Sequence, residues 1–382
     1  MTAYLQMGHH SQNLLNENDL AQYKGAVLSP VNEDENCIQA QINAHQGEGF
    51  EMIFDSQLYY PNAERGRLPE WSYFPSDVES ADRTSLRWWR RIITGLKQTA
   101  LRIHPQAICS PALVPQVYND NYYTLNQQVA EIMKDRFTNT GIDILQTLIV
   151  NLTDITEETR PAEIASIATS GPLDRVFLVL KSDTEPRREL SDTEQIKGAM
   201  KLIRYLEQSG VRVLVGFSSS DLILWKFAGA QDCASGKYFN LRRFTPSRFE
   251  PSPDGGGQVW YWFEESMMAY LREPDLLRIR RANLLPPASM TNPFSIKILN
   301  QIDTQPEVAW LGLSWRQYLY WFSEFERRFT QDGIDANSFL ANAETIWNQL
   351  EDLGILMEER RNDGNWLRSW RRAVLEAFRV QG

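Results

Sequence analysis

Cysteine and histidine are scarce in this chain of 382 residues: there are three cysteines and four histidines. Cys37, Cys109 and Cys233 lie far apart with no C-x-x-C pair, which excludes a disulfide framework and a cysteine-rich zinc site. Such cysteine usage suits a reducing compartment, and cytoplasmic location is the expectation. No apolar run approaches the roughly 18–20 residues that a membrane span needs, so no membrane is expected among the partners. The start, MTAYLQMGHH, has neither a basic leader nor a long apolar stretch, so no signal peptide is visible. No G-x-G-x-x-G follows any apolar run, which withdraws support from a dinucleotide-binding fold. Internal repeats and low-complexity tracts are also missing.

Charge of one sign is in excess. The net charge is −10, and residues 276–382 carry 13 basic and 13 acidic residues, so the whole excess lies in residues 1–275. That balance argues against indiscriminate coating of DNA, whose affinity comes from phosphate neutralisation. It leaves room for a local basic groove.

Aromatic residues are plentiful: 12 Trp, 14 Tyr and 17 Phe. So are short apolar runs. AYLQMG, GAVLSP, FEMIFDSQLY, AICSPAL, DILQTLIVNL, RVFLVLKSD, VRVLVGF and QDCASG read as eight strands, each followed by a segment with helical spacing. DILQTLIVNL is apolar nearly throughout, as expected for a strand buried on both faces. Alternation of this kind implies a parallel sheet, and a count of eight favours closure. The expected fold is α/β, a (β/α)8 TIM-like barrel over residues 1–275 followed by an all-helical C-terminal domain over 276–382. An open doubly wound sheet is the rival.

Barrels of this class carry ligands at the C-terminal ends of their strands. That rule collects His9, His10, Asp55, Asp183 and Ser235 on one rim. Asp55, at the end of an apolar strand, is placed for base or nucleophile work, with His9 and His10 assisting and Asp183 as a second acid. It equally suits the cap of a turn. Loops after strands 7 and 8 often bind phosphate. Ser218, Ser219 and Ser220 offer hydroxyls and amides there, and Ser235, Lys237, Arg242 and Arg243 follow. The same serines suit an ordinary helix cap.

The loop of about 26 residues after strand 3 is long for a compact domain, which points to a lid or binding loop. It holds Tyr59, Arg65 and Trp71, and such aromatics beside arginine suit base stacking or a protein interface. Two helical segments, DRTSLRWWRRIITGLKQTALR and RRNDGNWLRSWRRAVLEAFR, are basic. The second suits either RNA contact or attachment to the acidic barrel, and the charge asymmetry favours attachment. Neither a metal nor any cofactor is named by these residues.

VRVLVGFSSSDLILWKFAGAQDCASG (211–236) resembles the end of the barrel in tRNA-guanine transglycosylase and DpdA-like proteins, and FDSQLY resembles the Asp-Ser start of that family's base-recognising loop. The resemblance implies a TIM barrel in which Asp55 recognises or acts on a nucleobase. Gln57 and Leu58 stand where the family has glycines, and its cysteine-rich zinc motif is absent. Two functions are therefore expected in parallel. One is a transglycosylase-like barrel acting on or binding a nucleobase, nucleotide or nucleic acid, in bacterial nucleic-acid modification or defence. The other is a non-catalytic barrel subunit of a multi-protein assembly.

Overall fold

The computed structural model describes all residues except 1–2, 21, 46, 48, 64, 76–81, 251–258, 360–361 and 380–382. Residues 64 and 76–81 of the long loop, and Arg360 and Arg361 of the basic tail, thus lie outside the described residues.

Strand and helix alternate along residues 4–235: β1 (Tyr4–Gln6), α1 (Gln12–Leu15), β2 (Gly25–Leu28), α2 (Glu35–Ala44), β3 (Glu51–Phe54), α3 (Leu86–Ile103), β4 (Ala107–Cys109) and α4 (Asp120–Arg136). Then come β5 (Asp143–Asn151), α5 (Arg160–Ala168), β6 (Arg175–Lys181), α6 (Thr193–Gln208), β7 (Arg212–Gly216), α7 (Leu222–Ala228) and β8 (Asp232–Ser235). The eight strands close in sequence order. β1 completes the ring, pairing in parallel with β2 through Tyr4 and Gly25 and with β8 through Tyr4 and Ala234. The (β/α)8 barrel is the observed fold.

The period of two along each strand decides what fills it. Tyr4, Val27, Ile53, Cys109, Leu145, Ile149, Phe177, Val179 and Ala234 form one apolar cluster inside. Their neighbours Leu5, Ala26, Met52, Ile108, Leu148 and Leu178 belong to the larger core under the helices. Gly25 is needed for closure: a Cβ there would lie 2.2 Å from the Glu51 carbonyl and 2.6 Å from the Tyr4 ring.

Helix boundaries follow local chemistry. Asp192 caps α6 by accepting from the amides of Glu194 and Gln195, and Gly210 follows with a φ of 82°. α3 buries Trp89, Ile93, Leu96 and Ala100 on one face. Its basic face turns outward, where Arg102 pairs with Glu35.

The chain then forms a β9 (Trp262–Glu264) and β10 (Ala269–Leu271) hairpin, followed by α8 (Glu273–Arg281), α9 (Pro293–Thr304), α10 (Leu311–Asp332), α11 (Ala336–Asp352) and α12 (Trp366–Glu376). The C-terminal region is helical as expected, yet one of its helices is integrated with the barrel. α10 packs against α7, β8 and the turn Asn18–Leu20 after β1, so it fills the ring position between β8 and β1. Glu326 of α10 accepts the Cys233 amide at 3.0 Å and lies 3.5 Å from Lys226 of α7. Tyr318 shares a 2.7 Å hydrogen bond with Ser235. The tail is attached rather than free: Trp370 donates to the Leu190 carbonyl, and Arg368 and Arg371 pair with Glu344. Among the described residues, no helix is long and apolar enough to cross a membrane.

Candidate functional site at the barrel mouth

The mouth is roofed on one side. Beyond β8 the chain crosses toward β6, where Phe244 bridges to Lys181 and its carbonyl accepts the Ser182 amide at 3.0 Å. Tyr59, Phe217 and Phe244 sit buried over the inner layers, with Phe244 5.2 Å from each of the other two rings.

Asp55 lies beneath this roof, 2% exposed. Its Oδ2 accepts the Tyr59 hydroxyl at 2.7 Å and its Oδ1 accepts the Gln57 amide at 3.1 Å. Burial pushes its pKa up to about 6, against the pull of those two donors and of nearby Arg248 and Arg65. It has the proton affinity of a base, but both oxygens are engaged and no histidine bonds to it.

The other expected partners disperse. His9 and His10 are exposed and touch each other, and what they offer β8's loop is backbone: Lys237 donates to the His10 carbonyl at 2.8 Å. Asp183 is a correction to the idea of an acid pair: it is largely exposed, 3.6 Å from Lys181, and lines a separate small cavity with Asn151 and Ser182. The serines are also corrected. Ser218 donates to the Val215 carbonyl, Ser219 bonds Tyr270, Ser220 donates to Glu189, and all three are buried. Ser235 is taken by Tyr318. Local carbonyls and neighbouring side chains satisfy these hydroxyls before any ligand does. Arg243 is enclosed too, 3.6 Å from Glu189 and 3.4 Å from Asp221. Burial pushes Glu189 up to about 7 although Arg243 opposes it. Trp71 donates to the Pro30 carbonyl and packs on Phe54, in the outer core rather than at the mouth.

Three of the expected residues do meet. His9, Lys237 and Arg242 line an open cleft of about 770 Å³ on the β8–β1–β2 side of the mouth, together with Gln57, Arg65, Arg187 and Arg248. Tyr238, Phe239, Tyr261 and Trp315 supply aromatic walls, and among the described residues Glu185 is the one carboxylate in its lining. Lys237 sits 4.6 Å from the Trp315 ring centroid, and burial lowers its pKa to about 8, with Arg316 adding to the effect. Arg242 is held by the Gly236 and Lys237 carbonyls and lies 3.4 Å over Tyr318. Among the described residues no three His, Cys, Asp or Glu side chains gather as a metal-ligand group.

Sequence reasoning missed Arg248 and Arg187, and it read Arg65 only as part of an aromatic loop. Arg248 follows a proline in a segment with no periodicity. Arg187 lies beyond the strand end expected to carry function. One available signal was TPSRFE, a basic residue between two bulky breaks shortly after strand 8.

No protein-family model matches the chain, and no curated protein matches it. Solved structures do match, among them one titled "Structure of L-ribulose 3-epimerase", with 14% identity and a TM-score of 0.35 over 62% of this chain and 80% of that one. At that identity and score the likeness carries nothing about substrate.

Proposed function

We propose that the protein binds a small phosphorylated ligand of nucleotide type in the cleft over its barrel mouth. The observation that carries this reading is a local reversal of sign. In a chain of net charge −10, five cationic side chains (Arg65, Arg187, Lys237, Arg242 and Arg248) line one cleft against, among the described residues, the single carboxylate of Glu185. Its volume of about 770 Å³ falls in the range of small-molecule sites, which run from roughly 300 to 1,000 Å³. Guanidinium groups hydrogen-bond phosphate well, and a rim of Tyr and Trp suits a flat ring. Transglycosylase-like action on a nucleobase, within bacterial nucleic-acid modification or defence, is the narrower form of this reading. It requires Tyr59 to move off Asp55 so that the carboxylate meets the base.

The packed aromatic roof favours a second reading, that the barrel binds without catalysing and serves as a subunit of an assembly. Calorimetric titration of the full chain with nucleoside monophosphates and the matching nucleosides tests the first. Saturable binding of the phosphorylated form, about tenfold or more tighter than the nucleoside, is the expected result. Equal affinity for both, or no binding of either, contradicts it.

A further inference from the structure

Two guanidiniums on the cleft floor carry like charges and, among the described residues, form no ion pair with a carboxylate. Arg65 comes from the loop after β3, and Arg248 from the turn Pro246–Phe249 beyond β8. Both stand over the Phe249 ring, 5.0 and 5.6 Å from its centroid. Nη1 of Arg65, and Nε and Nη1 of Arg248, are enclosed without a hydrogen-bond partner among the described residues. Asp55 acts on both only through space, since Tyr59 and the Gln57 amide take its oxygens. Gln57 beside them is 2% exposed and held at a φ of 51°, and its Oε1 has no donor.

Enclosed charged donors left unmade are expensive, and proteins complete them with water, an ion or a ligand. Arg175 and Arg242, by contrast, hydrogen-bond carboxylate and carbonyl partners, and Arg243, whose Nε also lacks a hydrogen bond, stands within 3.6 Å of both Glu189 and Asp221. Burial, with Arg65's charge added, lowers the pKa of Arg248 to about 9, against the pull of Tyr59 and Asp55.

We propose that Arg65 and Arg248 form a phosphate subsite that grips the terminal phosphate monoester of the cleft's ligand, with Gln57 Oε1 accepting from an adjacent ligand hydroxyl or N–H. The inference rests on reading the cleft as a ligand site. Two guanidiniums match a dianion; a carboxylate would leave one of the charges unneutralised. Three unpartnered guanidinium nitrogens match the several acceptor oxygens of a phosphate, for which the guanidinium fork is shaped. No bond is made or broken.

The test follows thermal unfolding of the full chain in sodium phosphate, sodium pyrophosphate or sodium acetate at matched ionic strength. A bound anion stabilises the folded state by mass action. Phosphate and pyrophosphate are expected to raise the Tm of the wild type saturably, and acetate is not. Arg65→Gln and Arg248→Met should abolish that rise. Arg212→Gln, at the opposite end of the barrel, should retain it. Arg248→Met should also keep or raise the Tm of the ligand-free protein, which a merely structural arginine would not do. Should Arg248→Met fail to fold, Arg65→Gln decides the matter. The inference is overturned if phosphate leaves the wild type unshifted, if acetate matches it, or if the rise survives in the floor variants. Nucleotide binding that is equal in wild type and floor variants removes the subsite but keeps the cleft as ligand site. A phosphate rise without nucleotide binding keeps the subsite and removes the nucleotide reading.

Discussion

The two ends of this barrel treat charge in opposite ways. At the N-terminal end, the first residues of β3, β5 and β6 are Glu51, Asp143 and Arg175, and the arginine bonds both carboxylates. Arg175 reaches Glu51 and Asp143 at 2.7 Å each, Tyr4 donates to Glu51, and Lys24 lies 3.1 Å from Asp232. Burial pushes the Glu51 pKa up, but Arg175 together with Tyr4 and Lys24 more than offsets it, and the carboxyl is held below its ordinary value. At the C-terminal end, cations collect around a cleft and two of them keep unused donors. Residues at the bottom of such a barrel serve stability, and residues at the top serve ligands. Here that division can be read from which charges are already answered by the chain.

The largest expected effect comes from breaking the closed end. Arg175→Met strands Glu51 and Asp143, and denaturant unfolding should show a loss of about 3 kcal/mol, the lower end for broken buried ion pairs because both carboxylates keep some solvent. Arg248→Met, at the open end, should show no such loss. An equal loss at both ends would erase the distinction.

Next in size is a pH effect from Asp55. Its folded pKa of about 6 lies above the ordinary value near 3.9, so the folded state holds the proton more tightly than the unfolded chain. The stability this provides is fully present below about pH 4 and is lost as pH rises through about 6, amounting to about 2–3 kcal/mol. Asp55→Asn should remove that fall from a stability profile measured between pH 4 and 7. A profile unchanged by the substitution would mean that the carboxyl is not enclosed as described.

Lys237→Gln sharpens the comparison at the rim of the cleft. Removing one of several cations should weaken nucleotide binding by roughly threefold to tenfold with little change in Tm, and salt should weaken what remains. The smallest effects are expected at His10 and Asp183. His10→Ala and Asp183→Asn should leave stability within about 0.5 kcal/mol and ligand affinity unchanged, because both side chains are exposed and outside the cleft.

The barrel was legible because its signal is local and repeated. Val176 to Leu180 is apolar without interruption and Ile144 to Val150 is broken only by Gln146 and Thr147, as suits strands covered on both sides. The ring position of α10 was not legible, since about 75 residues separate β8 from it and no spacing marks the return. The site was half legible for a related reason. Arg242 and Arg243 are adjacent in sequence, yet the first lines the cleft while the second is enclosed by Glu189 and Asp221. Which side an arginine serves depends on carboxylates brought from other loops. The serines after β7 misled in the same way: their hydroxyls suit a ligand, but Val215, Tyr270 and Glu189 reach them first.

A crystal structure of the full chain grown with pyrophosphate tests the central claim most directly. Tetrahedral density within hydrogen-bond distance of both Arg65 and Arg248 is the expected result. Density absent from the cleft, with those two guanidiniums paired to the protein's own carboxylates, would contradict it.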